Sequence, residues 1–225
     1  MFDKLPSTRT YPPAMPKTAL LPAEVTAMLI QAADAIIAAE PMLSEADRNL
    51  GDGDHGLGMQ RGLTAAKEKL SAGGIDSIEK AFSTTGMAMM SSMGGASGAI
   101  FGTFFRNGGK ALAGRPQLDA AGLAAFFQAG VDGVKQRGGA AVGDKTCVDA
   151  MEPAAVRANE VAQSSLADAI TAIAAAAESG KEASKAMIAK FGRAKTLGEA
   201  CIGHPDAGAC SVVVIIDAMR DYILA

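Results

Sequence analysis

The sequence predicts an all-α protein built as a single domain. Three observations carry that expectation. Alanine, the strongest helix former, is abundant across the 225 residues. Apolar residues recur at helical spacing in one segment after another. Only one run, SVVVIID at 211–217, has strand-like β-branched character. A lone strand has nothing to pair with, so that run too is read as a buried helix.

Composition narrows the class further. The chain is long enough to bury a full core, and at 49% hydrophobic, 20% charged and a net charge of −3 it is neither disordered nor a polycation suited to nucleic acid. Aromatics are 4%, with no Trp and two Tyr, which argues against a stacking platform for single strands. The three cysteines, Cys147, Cys201 and Cys210, are odd in number and show no C-x-x-C pair. That pattern fits reduced thiols in a cytoplasm rather than a disulfide framework or a zinc site. There is no apolar leader at the N-terminus and no apolar run of roughly 18 residues, so neither a signal peptide nor a membrane span is expected.

Residues 1–17 contain Pro6, Pro12, Pro13 and Pro16 and read as an extended arm, with the domain proper at 18–225. A first helix places Val25, Met28, Leu29, Ala32, Ile36 and Ile37 on one face, with Pro22 in its first turn. A second starts near Gly58 and ends near Ser71. A third is capped by Asp76 or Ser77 and runs to about Met90. Small residues then give way to Ile100, Phe101, Phe104 and Phe105. The clearest stripe is Leu123, Phe126, Phe127, Gly130, Val131 and Val134, with Asp119 as its cap. Further helices are expected at 146–162, 165–179 and 182–191, with Ser165 and Asp168 resembling a capping box.

Four glycine-rich segments interrupt this series: 50–58 (LGDGDHGLG), 93–98 (MGGASG), 138–147 (GGAAVGDKTC) and 202–211 (IGHPDAGACS). Polar loops between rigid helices are where chemistry usually sits. Asp47, Asp52 and Asp54 crowd three carboxylates into one short stretch, which repel unless a cation lies between them. Five residues turn a helix through about 500°, so Asp47 and Asp52 cannot share a face of one helix. Gly51 and Gly53 can bend the chain until the carboxylates converge. Oxygen-only ligands favour Mg²⁺ or Ca²⁺. The competing structural reading makes Asp47 part of a capping box opened by Ser44, and Asp52 and Asp54 ordinary turn residues; spacing alone leaves both open.

Three superficial matches fail. Gly51-x-Gly53-x-x-Gly56 has no strand before it, as a dinucleotide fingerprint requires. An EF-hand starting at Asp52 would need Gly and Glu where Leu57 and Leu63 stand. Gly143-Asp144-Lys145-Thr146 only resembles the end of a Walker A loop. The 94–98 stretch before an apolar helix could bind phosphate through backbone N–H groups and Ser97, or serve close helix packing. His55 and His204 are the only histidines, and both lie in these loops. Arg193 could clamp a phosphate or simply be solvated.

Taken together, LSEADRNLGDGDHGLGMQRG (43–62), GGASGAIFGTFF (94–105), GVDGVKQRGGAAVGDKTCVDAMEP (130–153) and GRAKTLGEACIGHPDAGACS (192–211) resemble the L subunit of bacterial dihydroxyacetone kinase. Its nucleotide-binding domain also forms part of single-chain ATP-dependent kinases. The four motifs are co-linear over most of the chain, and the resemblance stops at the N-terminal arm. It implies a barrel-like bundle of antiparallel helices with nucleotide-binding loops at one end. It implies two Mg²⁺ held by Asp47, Asp52 and Asp54 against the phosphates of ADP or ATP. It further implies nucleotide contacts from His55, Gly56, Leu57, Gly58, Ala96, Ser97, Gly138, Cys147, Arg193, Asp206, Ala207 and Gly208, with Arg193 and the three aspartates serving catalysis. Gly58, Cys147 and Ala207 depart from the Asn, Met and Pro usual in the family.

The resemblance also implies partners. A separate K subunit docks on the nucleotide end and holds the ketose, which receives the phosphoryl group. In the phosphotransferase-linked form, a multiphosphoryl M subunit recharges bound ADP. The alternative reading is a nucleotide-sensing regulator that docks on a transcription factor, and a lipid-kinase subunit is a third. Neither nucleic acid nor membrane is expected as a partner. The acceptor, the donor and the oligomeric state, a homodimer included, stay open at this level.

Overall fold

The computed structural model describes residues 17–225; the arm expected at 1–17 lies outside the described residues except for Lys17. Nine α-helices follow in order: α1 (Pro22–Ala38), α2 (Glu40–Arg48), α3 (His55–Ser71), α4 (Ile78–Ser92), α5 (Gly95–Lys110), α6 (Ala120–Gly138), α7 (Val148–Glu160), α8 (Leu166–Ala183) and α9 (Ala207–Leu224). Two 3₁₀ segments, Ser184–Ala186 and Arg193–Cys201, lie between α8 and α9. Among the described residues there is no strand, only one antiparallel bridge between Leu20 and Leu118.

Several boundaries follow from capping chemistry. The Ser77 hydroxyl accepts from the Lys80 N–H at 3.2 Å, and the Asp119 carboxylate from the Gly122 N–H at 2.7 Å. The Ser165 hydroxyl accepts from the Asp168 N–H at 3.1 Å. Each acceptor satisfies a first-turn donor that the helix itself leaves unpaired. The 211–217 run lies inside α9, mostly buried, where packing overrides its local strand preference.

Two expectations need correction. The helix read at 182–191 is absent: α8 ends at Ala183, and only a 3₁₀ turn follows. The Ser184 carbonyl, which a continuing helix would use, instead accepts from Lys145 Nζ at 2.6 Å, and the Ala189 N–H turns to Cys201 Sγ at 3.3 Å. In addition, 40–48 forms a short helix with no counterpart in the sequence reading, and α3 starts at His55 rather than near Gly58.

The helices close into a ring. α1 packs on α3, α3 on α4, and so on through α9, which returns to α1; α2 packs against α3 and α9 at one end. The centre is filled by Phe82, Phe104, Phe105, Phe126 and Phe127, with the Phe82 and Phe126 rings 4.3 Å apart and most other pairs edge to face. Alanines and glycines let neighbouring helices approach. At Gly86 an added Cβ would lie 2.6 Å from the Arg106 nitrogen and 2.7 Å from the Gly102 carbonyl, so α4 and α5 can cross this closely only without a side chain.

Because ring neighbours alternate in direction, α3, α5, α7 and α9 all begin at the same end. That end also receives the C-termini of α2, α4 and α6. No single described helix is long and apolar enough to cross a membrane. Only α1 and α2 together pass such a test, as a pair bent by 54°.

Candidate functional site

At this end the helix termini surround a cavity of about 600 Å³. Asp47 comes from the last turn of α2, and Asp52 and Asp54 from the turn before α3. Gly53 takes φ +77°, a left-handed conformation that folds the turn back on itself. The Gly51 N–H donates to the Asp47 carbonyl at 2.6 Å, and the His55 N–H to Asp47 Oδ2 at 3.2 Å. One oxygen from each aspartate then lies within 4.8 Å of the others. Three hard, anionic oxygens so placed fit a divalent cation such as Mg²⁺.

The capping box read from Ser44 does not form. Ser44 sits inside α2, buried, and its hydroxyl donates to Glu40 Oε1 at 2.6 Å. It caps no helix, and Asp47 is turned toward the other two carboxylates.

Beside the carboxylates lies a wall of backbone N–H groups. Gly94 and Gly95 take φ +73° and +61°, and α5 starts directly after the first of them without a side-chain cap. The first-turn N–H groups of α5, Ala96 and Ser97 among them, therefore stand at the cavity with the positive end of the helix dipole behind them. The N-terminus of α3 likewise has no side-chain cap. His55 is buried between these helices, its Nε2 2.8 Å from the Ser211 hydroxyl and its Nδ1 3.3 Å from the Ser97 hydroxyl. Burial lowers its pKa, against the pull of Asp47 and Asp54.

The rest of the lining combines apolar surface with further helix termini. Ile100, Phe101, Val134 and Val148 give an apolar face of the kind a flat heterocycle packs on. Gly138 ends α6, Cys147 precedes α7, and Asp206, Ala207 and Gly208 open α9. Burial pushes the Cys147 thiol far up, leaving it a packing group rather than a nucleophile. Asp206 caps α9 by accepting from the Ala209 N–H at 2.8 Å. Burial pushes its carboxyl up to about 7, helped by the charge of Asp149 and opposed by that cap bond and by Lys145. Arg193 stands at the mouth with its Nη2 2.7 Å from Asp52 Oδ2, an ion pair.

The cavity thus gathers Asp47, Asp52, Asp54, His55, Gly58, Ala96, Ser97, Gly138, Cys147, Arg193, Asp206, Ala207 and Gly208. Gly56 and Leu57 are not among its lining residues. Gly56 faces α2, where a Cβ would strike the Ser44 side chain and the Glu40 carbonyl, and Leu57 points to solvent. The sequence reading missed three others. Arg61 lines the cavity and donates to the Met93 carbonyl at 3.0 Å, just before the Gly94–Gly95 pair. Its position one helical turn beyond Gly58 was the available signal. Asp149 is buried and accepts from the Gly143 and Thr146 N–H groups at 2.6 and 2.7 Å, fixing the loop before α7. Lys145 is buried as well, and its tetrapeptide had drawn notice only as a failed Walker match.

Known proteins resemble this chain as follows. The DAK2 domain family matches residues 49–221. The ADP-binding subunit DhaL of the PEP-dependent dihydroxyacetone kinase of Escherichia coli K12 is 41% identical over 179 residues, covering 79% of this chain and 85% of its own. The corresponding subunit of dihydroxyacetone kinase 1 of Listeria innocua is 38% identical, with the same coverage of both chains. The L-erythrulose kinase of Pectobacterium atrosepticum is 34% identical over 203 residues, which are 87% of this chain and 34% of that enzyme. Among solved structures, the C. freundii dihydroxyacetone kinase in complex with AMP-PNP and Mg²⁺ has the same fold. Its TM-score is 0.70 at 21% identity, covering 98% of this chain and 37% of the other.

Proposed function

The chain belongs to the DAK2 domain family, and from that premise we propose that it is the nucleotide-binding subunit of a dihydroxyacetone-type kinase. It holds ADP or ATP with Mg²⁺ in the 600 Å³ cavity and passes a phosphoryl group to a short ketose carried by a separate K subunit. The observation that carries this reading is the convergence of Asp47, Asp52 and Asp54 beside the N-terminus of α3 and the uncapped N-terminus of α5. Carboxylates alone would repel a phosphate, and helix N-termini alone would not hold a cation. Side by side they suit a metal-bound polyphosphate.

Phosphoryl transfer needs charge neutralisation and alignment rather than a protein nucleophile. Mg²⁺ on the three aspartates supplies the neutralisation when bound. The chain's own residues do the rest. The amides at the start of α5 hold phosphate oxygens, and His55 steadies the Ser97 hydroxyl beside them. Arg193 contributes a further cation at the mouth. The apolar wall of Ile100, Phe101, Val134 and Val148 takes the base. Gly58 is the one cavity glycine that sits in regular helix with nothing within 4 Å of an added Cβ, which leaves room for a ligand against the backbone of α3.

The relatives that match over most of their length are separate ADP-binding subunits, whereas the single-chain erythrulose kinase is about three times longer than the matched stretch. This favours the phosphoenolpyruvate-linked mode in a cytoplasm, with ADP retained and recharged by an M subunit. The loops beside the mouth expose Val142, Ile188, Phe191, Leu197 and Ile202, an apolar rim suited to a docking subunit.

Native mass spectrometry of the purified protein with Mg²⁺, followed by titration with Mg-ADP, tests the proposal. Wild type should bind one nucleotide with Mg²⁺, and Asp52→Asn should lose most of that affinity. A wild-type protein that binds neither ADP nor ATP would reduce the kinship to one of fold.

A further inference from the structure

We propose that Lys145 is a positioning residue for this site: one buried ammonium fixes both ends of the 185–205 segment and so sets where Arg193 stands over the cavity. The inference rests on the nucleotide-binding reading above and extends it to Lys145, which lines the cavity while its ammonium is held by the Ser184 and His204 carbonyls.

Lys145 is 2% exposed, which is rare for a lysine. Its Nζ donates to the Ser184 carbonyl at 2.6 Å and to the His204 carbonyl at 2.6 Å. Those carbonyls lie 39 and 59 residues further along the chain, one just before the segment and one near its end. The neck is closed by two more bonds, from the Gly203 N–H to the Lys185 carbonyl at 2.8 Å and from the Asp206 N–H to the Ser184 hydroxyl at 3.0 Å. Asp144 grips the middle, accepting from Lys190 Nζ at 2.7 Å and from the Lys190 N–H at 3.1 Å.

The segment also has its own small core. Ala189 and Cys201 bury against Leu50, with Ala194 packed on them, apart from the main core. It is therefore a compact loop with tied ends, whose far side presents Phe191, Gly192, Arg193 and Ala194 to the cavity. The backbone at Lys145 supports the same point. It takes φ +58°, the only positive φ outside glycine among the described residues. Such strain persists where surrounding contacts over-determine it, as they do here.

Lys145→Gly keeps the left-handed backbone and removes the whole buried side chain, ammonium included. Hydrogen exchange should quicken within 185–205 and not in the barrel. Mg-ADP should bind about tenfold more weakly, mainly through faster release. In an Arg193→Ala background the same change should add less than about twofold, because Lys145 acts through Arg193. An alkylammonium salt such as propylammonium should restore part of the affinity of Lys145→Gly and none in the double variant. Unchanged exchange and affinity in Lys145→Gly would overturn the proposal, and so would full additivity with Arg193→Ala. Lys190→Met, an exposed substitution that spares the core, provides a second route should Lys145→Gly fail to fold. It should give a smaller loss that Arg193→Ala again masks, and additivity there would equally overturn the idea. If wild type binds no nucleotide, the functional reading fails, while the exchange pattern still decides whether Lys145 holds the loop.

Discussion

The guanidinium of Arg193 lies 2.7 Å from Oδ2 of Asp52, so a cation suited to phosphate and an anion suited to metal neutralise each other across the cavity mouth. Both partners are substantially solvated, and such pairs contribute only about 0.2–1 kcal/mol. A metal-bound phosphate satisfies both at once and readily displaces the pair.

Arg193→Ala should therefore act in opposite directions on two ligands. Mg-ADP affinity should fall roughly 10- to 100-fold, the range of a lost charge-assisted hydrogen bond. Divalent-metal affinity of the nucleotide-free protein should rise by up to about fivefold, since Asp52 is released. Calorimetry with Mn²⁺ and with Mg-ADP measures both; a fall in metal affinity would contradict the pairing.

Two glycines two residues apart should respond differently to alanine. At Gly56 a Cβ meets the Ser44 side chain and the Glu40 carbonyl, so Gly56→Ala should destabilise by about 1–3 kcal/mol and loosen α2, which carries Asp47. At Gly58 a Cβ meets nothing. Gly58→Ala should leave stability unchanged or raise it by up to about 1 kcal/mol, while weakening nucleotide binding. Urea denaturation beside an ADP titration separates the two.

Asp149 accepts two backbone N–H bonds while 1% exposed. Asp149→Ala orphans both donors in the loop before α7. The expected loss is about 2–4 kcal/mol, or a Tm lower by roughly 5–15 °C. Differential scanning calorimetry measures it, and a shift within 2 °C of wild type would assign the loop's conformation to other contacts.

Asp206 makes stability depend on pH. Its carboxyl is pushed up to about 7 in the fold, from 3.8 in the open chain. Between those values the folded state holds a proton that the unfolded state has released. Stability therefore falls as pH rises from about 4 to 7 and levels above that, with a slope of at most about 1.4 kcal/mol per pH unit. Asp206→Asn keeps an acceptor for the Ala209 N–H and removes the titration. Its denaturation midpoint should be flatter than wild type across that window.

The helical architecture was legible because it is written locally. Asp119, Ser77 and Ser165 announce their helices, and the 120–138 stripe has an unmistakable period. Motifs brought the aspartate trio and the glycine loops into view, and the cavity gathers nearly all of those residues. What escaped depends on distant partners. The 182–191 stretch has helical composition, yet its carbonyl at Ser184 is taken by a lysine 39 residues earlier. Lys145 carries no local signature, because the carbonyls it holds come near only when the ring closes. Asp149 holds N–H groups only three and six residues back, and no cap or motif pattern announces that loop. Gly56 and Gly58 look alike in sequence and differ only in what faces them.

The even number of helices in the ring has a consequence for tethering. Alternation sends the start of α1 and the close of α9 to the end away from the cavity. An 18-residue helix such as α9 spans about 27 Å, so a segment running from the start of α1 or the close of α9 to the mouth needs at least about eight extended residues. Neither the start of α1 nor the close of α9 lies at the mouth. An incoming protein can seat on it face-on, and lengthening the turns at the opposite end would leave that approach untouched.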